Sequence, residues 1–276
     1  MTSRKGVAGR AARWLVCWAM TIAMPLCAQD ERPHLSVPEP TRARGPAPTG
    51  PFYVTAVEYN DAVKQRDYLG QALPELIEFL AEEIPLEARI TWNKHTLYSP
   101  RLPESILLYM TGHDAVIRIS DEEKKALGQY LRTGGLLYAE DIAPFGEDDS
   151  TRLPVGIGQI GTPFDRQFKA LMQDPLVLGS QGRLWKRLRK SHPLYTAYFP
   201  FLDGPPLSGV PNGDVRDLEV IELRGRTAVV FSDLNISWFW ANIKAEGRER
   251  NLQFGVNLVV FALANKLAGR PLPIRR

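Results

Sequence analysis

The chain has few cysteines and histidines, the side chains that most often supply thiol chemistry and transition-metal sites. Its 276 residues include two cysteines, Cys17 and Cys27, and four histidines. Both cysteines lie in the first 28 residues, which we predict to be a signal peptide. The remaining chain would then have no disulfide, thiolate metal site or cysteine nucleophile. A metal site would need carboxylate ligands, and we expect neither a metal nor another cofactor.

Several sequence motifs of catalysis are also missing. The chain has no G-x-S-x-G elbow, no phosphate-binding Gly-Lys-Ser/Thr loop and no H-E-x-x-H helix.

The chain also has no excess of positive or negative charge once the predicted signal peptide is removed. Four of the 34 Lys and Arg residues, and none of the 31 acidic ones, lie in the predicted signal peptide. The rest of the chain therefore has 30 basic and 31 acidic residues. A chain so close to neutral is not expected to bind nucleic acid.

The N-terminal segment has the organisation of an export signal. Basic residues between Arg4 and Arg13 precede the uncharged apolar run Trp14–Ala28. That run is shorter than the roughly 20 residues that cross a bilayer, so we predict cleavage after Ala28. The expected location is periplasmic or extracellular. An uncleaved signal that anchors the protein in the membrane is the alternative.

The signal peptide is predicted to be followed by a linker and one folded domain. Residues Gln29–Pro51 contain six prolines and no apolar periodicity, a pattern typical of an extended linker. We therefore divide the chain into a signal peptide (1–28), a proline-rich linker (29–51) and a single α/β domain (52–276).

The segment Glu104–Asp141 predicts a strand, a helix and a second strand. Ser105–Met110 is an apolar run rich in β-forming residues. Ser120, with Glu123 three residues later, predicts a capping box at the start of a helix. A strand follows at Leu136–Tyr138. Two strands joined by a crossover helix pair in parallel, so the segment indicates an α/β fold.

Further elements follow from hydrophobic periodicity. Helices are expected at Leu69–Glu83, Phe164–Gln173 and Asn251–Leu267, and strands at Phe52–Glu58, Ala88–Trp92, Leu184–Leu188, Asp217–Leu223 and Arg226–Ser232. The last helix is apolar nearly all round, which indicates burial, and its Asn257 is expected to bond buried backbone. His95 and the segment Ser237–Trp240 are expected in loops.

The candidate ligand-binding residues lie at predicted strand ends or on nearby loops. Ligands of open α/β sheets bind beyond the carboxyl ends of the strands. The candidates are His113, Asp114, Glu140, Asp141, His192, Asp233 and Trp238.

Each candidate has a functional and a structural interpretation. His113 could contact a ligand, bind a metal or act as a base, or it could bond loop backbone. Glu140 and Asp141 could hold a cation or orient His113, or one could cap a turn. Asp233 with Trp238 could stack a planar or sugar ligand, or the aromatic could seal the core.

Two other features are more often structural. His192 precedes Pro193 and is expected to shape a turn, with a site role as the alternative. The basic cluster Arg183–Lys190 could meet anionic lipid or polymer, or it could be an edge strand protected by its charges.

Several segments resemble the domain-of-unknown-function family 4159. They are TGHDAVIRISDEEKKALGQYLRTGGLLYAED, His192-Pro193-Leu194-Tyr195, RTAVVFSDLNISW and FGVNLVVFALANKL. The resemblance covers about Phe52 to Leu267. It implies a class I glutamine amidotransferase-like fold, a flavodoxin-like three-layer α/β/α sandwich with a mostly parallel sheet. It also implies export or membrane anchoring.

The resemblance excludes one activity. In the amidotransferases a catalytic cysteine follows the strand that matches Leu136–Tyr138, where this chain has Ala139-Glu140-Asp141. The chain is therefore not expected to be a glutamine amidotransferase.

The leading hypothesis is an exported module that binds an unknown small molecule or envelope protein at the carboxyl edge of the sheet. The alternatives are a hydrolase that depends on a divalent metal or on His113 with Glu140 or Asp141, and a structural envelope module. Membrane contact is expected only through an uncleaved signal or the basic cluster.

Overall fold

The computed structural model describes residues 50–59, 70–85, 89–112, 116–142, 162–206 and 217–267. The predicted signal peptide and nearly all of the predicted linker lie outside these ranges, so the proposed domain division stays a prediction. The strands are β1 (Phe52–Glu58), β2 (Ile90–Thr96), β3 (Ser105–Gly112), β4 (Leu136–Asp141), β5 (Trp185–Arg187), β6 (Glu219–Leu223) and β7 (Arg226–Ser232). The helices are α1 (Ala72–Glu83), α2 (Asp121–Arg132), α3 (Pro163–Gln173), α4 (Ile236–Ala241) and α5 (Arg248–Leu267).

The seven strands form one mostly parallel sheet in the order β2-β1-β3-β4-β7-β6-β5. Strands β2, β1, β3, β4 and β7 pair in parallel, and β6 is antiparallel to both β7 and β5. The predicted β6–β7 hairpin turns at Arg224-Gly225, where both residues have positive φ. The basic segment around β5 is an edge strand, as one of its two interpretations expected.

Helices cover both faces of the sheet. Helices α1, α4 and α5 supply the apolar side chains that pack on one face, and α2 and α3 supply those on the other. Each layer buries its own cluster, because side chains alternate between the two faces of every strand. The arrangement confirms the predicted α/β/α architecture.

The start of α2 confirms the predicted capping box. The Ser120 hydroxyl oxygen accepts a hydrogen bond from Glu123 N at 3.2 Å, and a Glu123 carboxylate oxygen accepts one from Ser120 N at 2.8 Å. Each residue thereby pairs a backbone N–H that the helix leaves open.

Helix α5 is buried along most of its length. The Asn257 side chain donates to the carbonyls of Leu194 and Phe199 at 3.0 and 2.8 Å, and it accepts from Tyr198 N and Phe199 N. These bonds confirm its predicted role. In the described part of the chain, no helix combines the length and the apolar character needed to cross a membrane.

Two predictions of local structure were wrong. His95 lies in β2, which begins and ends later than expected, because this edge strand buries none of its residues and lacks a clear apolar run. The segment Ser237–Trp240 belongs to α4 and not to a loop. A helix of six residues is too short to show periodicity, and contacts from a distant strand hold its start.

Candidate functional site

The order of the strands places a topological switch point between the carboxyl ends of β1 and β3. After β1 the chain crosses one face of the sheet through α1 and reaches β2. After β3 it crosses the opposite face through α2 and reaches β4. The direction of winding therefore reverses between β1 and β3, and ligands of open α/β sheets bind at such a switch point.

Four residues stand at one level along this edge. The strand register places Asp141 beside Gly112. If the pairing of β1 with β3 is continued by three residues, Tyr59 lies beside Gly112. If the pairing of β4 with β7 is continued by one residue, Asp233 lies beside Asp141. Neighbouring strands lie about 4.8 Å apart, so the row spans roughly 14 Å. Two of the candidate acids, Asp141 at the end of β4 and Asp233 just after β7, therefore lie at the same height on adjacent strands.

Glu140 is completely buried, and both of its carboxylate oxygens accept hydrogen bonds. One oxygen accepts from the Tyr138 hydroxyl, the Ser232 hydroxyl and Ile236 N at 2.9, 2.9 and 2.6 Å. The other accepts from Ser237 N at 2.8 Å and from the Ser237 hydroxyl. Two of these donors are the first backbone N–H groups of α4, so Glu140 caps this helix from a different strand.

Burial and hydrogen bonding act on Glu140 in opposite directions. Burial raises the pKa of its carboxyl group, while the bonds from Ser237, Ser232 and Tyr138 oppose that rise. Two of the five donors are backbone N–H groups, which cannot accept, and the ionised carboxylate accepts from all five at once. A group held in this way cannot take a proton from a ligand unless α4 is displaced. The capping interpretation therefore accounts for Glu140.

Asp141 holds the helix on the other face of the sheet. Its carboxylate accepts a hydrogen bond from the Thr162 hydroxyl, and the same hydroxyl oxygen accepts one from Asp165 N at 3.2 Å. Thr162 is the N-cap of α3. The adjacent acids at the end of β4 thus support two helices in two layers. This is possible because successive side chains of a strand point to opposite faces of the sheet.

Tyr59 and Gly112 lie close together at this switch point. The buried Tyr59 hydroxyl donates to the carbonyl of Thr111, and burial followed by the charge of Asp141 raises the pKa of this phenol. A Cβ at Gly112 would come within 2.5 Å of both the Tyr59 hydroxyl and the Phe164 ring. Only glycine fits this position, since any other residue would separate β1 from α3.

A buried charged cluster that we did not predict lies on the α3 side of the sheet. The Lys169 ammonium is 2.9 Å from Asp165 and 2.8 Å from Glu219, and it lies 4.9 Å from the centre of the Phe231 ring. Burial lowers the pKa of Lys169, but the two carboxylates outweigh that effect and raise it. The lysine therefore stays charged. One signal in the sequence could have predicted this cluster. Asp165 and Lys169 lie four residues apart, next to the apolar stripe of α3.

His192 lies away from this edge. Its Nε2 atom is 2.9 Å from the Thr227 hydroxyl, near the start of β7, whereas Glu140 bonds Ser232 at the end of the same strand. Five residues of strand separate the two contacts, or about 16 Å. His192 Nδ1 accepts from Leu194 N at 3.1 Å and caps a short 3₁₀ helix, which is the turn-shaping role.

Of the four remaining candidates, two are partly exposed and two lie outside the described residues. Asp233 and Trp238 are partly exposed near the carboxyl edge. The Trp238 ring packs edge-on against Phe239 at 5.2 Å. His113 and Asp114 lie outside the described residues, so their roles stay predictions. Within the described ranges no group of three or more His, Cys, Asp or Glu residues could hold a metal ion.

Trp238 also lines a surface cavity of about 380 Å³. The other lining residues are Ala241, Asn242, Ile243, Lys244 and Ala245. The wall thus combines an indole ring, an amide, an ammonium group and Ile243, whose surface is 70% exposed. An aromatic face with nearby polar groups is typical of sites that bind small ligands.

Comparison with known proteins identifies a family for this chain. A comparison with curated proteins found no match. A family model matches residues 54–263, which include all seven strands except the first two residues of β1. This match covers well over half of the chain and contains every candidate residue. The chain therefore belongs to the family described as Domain of unknown function (DUF4159).

Proposed function

We propose that this chain is an exported, non-catalytic domain that binds a small molecule or a segment of an envelope protein at the carboxyl edge of its sheet. Binding would centre on Trp238 and the cavity beside it. Asp233, which is also partly exposed, lies five residues earlier, just after β7. The supporting observation is that Glu140, in the stretch Ala139-Glu140-Asp141 that the resemblance matches to the amidotransferase nucleophile, is fully engaged in holding α4.

The chemistry of the described edge favours binding over catalysis. Glu140 and Asp141 are both buried and both bond helix-capping groups. A hydrolase that used Glu140 as its base would first have to break the cap of α4. Asp233 and Trp238 keep partial exposure, so they are the described candidates that a ligand can reach without unfolding a helix.

The cavity suggests the chemical class of the ligand. The Trp238 indole offers an apolar face for a planar or sugar ring, and Lys244 supplies a positive charge at the same wall. We therefore favour an anionic or neutral ring-containing ligand, such as a sugar acid or an aromatic acid.

A thermal-shift screen of neutral sugars, sugar acids and aromatic acids tests the proposal on the full protein as isolated from the expressing cell. A ligand should raise Tm, because it binds only the folded state. Trp238→Ala should abolish that rise. Tyr98→Ala is the matched control, since Tyr98 is 71% exposed and lies just after β2.

The comparison uses the ligand-induced rise, not Tm itself, because Trp238→Ala can lower stability on its own. The proposal fails if no compound raises Tm. It also fails if the rise is the same in Trp238→Ala as in the wild type. Mass spectrometry of the isolated protein tests the export proposal, which expects an N-terminus at Gln29.

A further inference from the structure

The strand β2 forms one edge of the sheet and has features of an interface. It pairs with β1 through seven consecutive residues without a register shift. In the described part of the chain, no strand pairs with its other side. An exposed strand edge presents unpaired N–H and C=O groups and is a template for another strand.

The opposite edge of the sheet has the usual protections, whereas β2 lacks them among the residues that the structure describes. Strand β5 has three residues, two of which are Lys186 and Arg187. Short length and positive charge are the usual protections of an edge. Strand β2 has seven residues, no proline and one charged residue, Lys94. It also carries Trp92, a large apolar residue that is 40% exposed.

Asn93, the central residue of β2, has an unsatisfied side chain. Its Nδ2 and Oδ1 atoms are buried, and neither has a hydrogen-bond partner among the residues that the structure describes. Buried amides in folded proteins are nearly always paired. The χ2 angle of asparagine is soft, so this buried amide can reorient when a partner strand is added beside β2.

We propose that the chain forms a two-fold symmetric dimer in which β2 pairs antiparallel with β2 of a second copy. The two seven-stranded sheets would then form one continuous sheet. The two-fold axis passes beside Asn93, so that the two Asn93 amides face each other and bond across it. A two-fold interface uses the same patch on both subunits, which must therefore complement itself.

The sequence of β2 meets that requirement. With Asn93 opposite Asn93, the antiparallel register places Trp92 opposite Lys94 of the second copy and Thr91 opposite its His95. Lys94 then lies near an indole ring, a favourable cation–π arrangement, and not opposite another lysine. Its present contact with Glu58, at 3.5 Å and well exposed, is weak and does not compete.

Sedimentation velocity over a dilution series of the full protein tests the dimer. Wild type should sediment as a dimer that dissociates on dilution. Asn93→Asp keeps the shape of the side chain but places two carboxylates opposite each other, so we expect the dimer Kd to rise at least about tenfold. Gln129→Glu, an equal charge change on an exposed position of α2, should leave the Kd unchanged.

Cysteine cross-linking tests the register in a Cys17→Ser, Cys27→Ser background. Asn93→Cys should form a disulfide-linked dimer, because Cα atoms directly opposite in an antiparallel pair lie about 4.5–5.5 Å apart. His95→Cys should not, since its symmetry mates are separated by four residues of strand. A monomer at every concentration, or equal cross-linking of both variants, would overturn the proposal.

Discussion

Replacing Glu140 with glutamine tests whether this buried carboxylate holds α4. The variant keeps the shape of the side chain and removes its charge. An amide has one acceptor oxygen, and its nitrogen is a donor. The least costly orientation keeps the oxygen toward Tyr138, Ser232 and Ile236 and turns the nitrogen toward Ser237, whose backbone N–H then faces another donor.

The expected loss follows from those contacts. Hydrogen bonds to a charged group contribute about 1.5–3 kcal/mol each, and a buried donor without a partner costs about 1–3 kcal/mol. Because the three remaining bonds weaken and the N–H of Ser237 is orphaned, we expect Glu140→Gln to lower the free energy of unfolding by about 3–5 kcal/mol. Domains of ordinary stability have only about 5–15 kcal/mol in total.

Urea denaturation at neutral pH, followed by tryptophan fluorescence, measures this loss. Trp240, which belongs to α4, is buried and reports on the helix. Glu222→Gln is the control, because Glu222 pairs with Lys186 at a largely exposed site and should matter by less than about 1 kcal/mol. Hydrogen exchange should also speed up at the backbone amides of Ile236 and Ser237.

A loss below about 1 kcal/mol for Glu140→Gln would contradict this reasoning. It would mean that the carboxyl group is protonated in the folded protein, because glutamine mimics a neutral acid. Glu140 could then donate a proton, and the hydrolase hypothesis would regain its carboxyl group.

Two further predictions concern buried charge. Lys169→Met should destabilise the fold by about 3–5 kcal/mol in urea denaturation, since it leaves Asp165 and Glu219 buried without their cation. Burial lowers the pKa of His192 below its unfolded value of about 6.5. The contribution of His192 to stability should therefore be present above pH 6.5 and lost as pH falls, because a proton on Nδ1 would face the N–H of Leu194.

Controls distinguish these effects from general damage. Adding Asp165→Asn and Glu219→Gln to Lys169→Met should recover most of the loss, because no buried charge is then left alone. A triple variant as unstable as the single one would contradict the ion-pair explanation. For His192, Tm between pH 7.5 and 5.5 should fall less in His192→Gln than in the wild type. Equal falls would assign the pH dependence to other groups.

Sequence signals from neighbouring residues predicted most of the secondary structure. They failed where contacts with residues distant in sequence determine where an element begins or ends. Ser120 and Glu123 predicted the start of α2 because a capping box is built from neighbours in sequence. The start of α4 could not be predicted, because its capping group is Glu140, on another strand. The length of β2 was misjudged because an edge strand buries little and its apolar pattern is weak.

The candidate site was predicted by position and not by role. The strand-end rule selected Glu140 and Asp141 correctly as residues of the carboxyl edge. It could not show that one acid caps α4 and the other holds the N-cap of α3. It also grouped His192 with that edge, although His192 contacts Thr227, which lies near the opposite, amino end of β7. The order of residues along the chain does not reveal which end of the sheet a loop residue contacts.

The sequence by itself determined the α/β class, the hydrophobic helix α5 and the lack of a cysteine nucleophile after Ala28. These depend on composition and on periodicities that each segment carries alone. Only the tertiary structure decided the strand order, the switch point between β1 and β3 and the commitment of Glu140 to α4. Each of these depends on which distant residues meet, and a buried charge is defined by the donors that surround it.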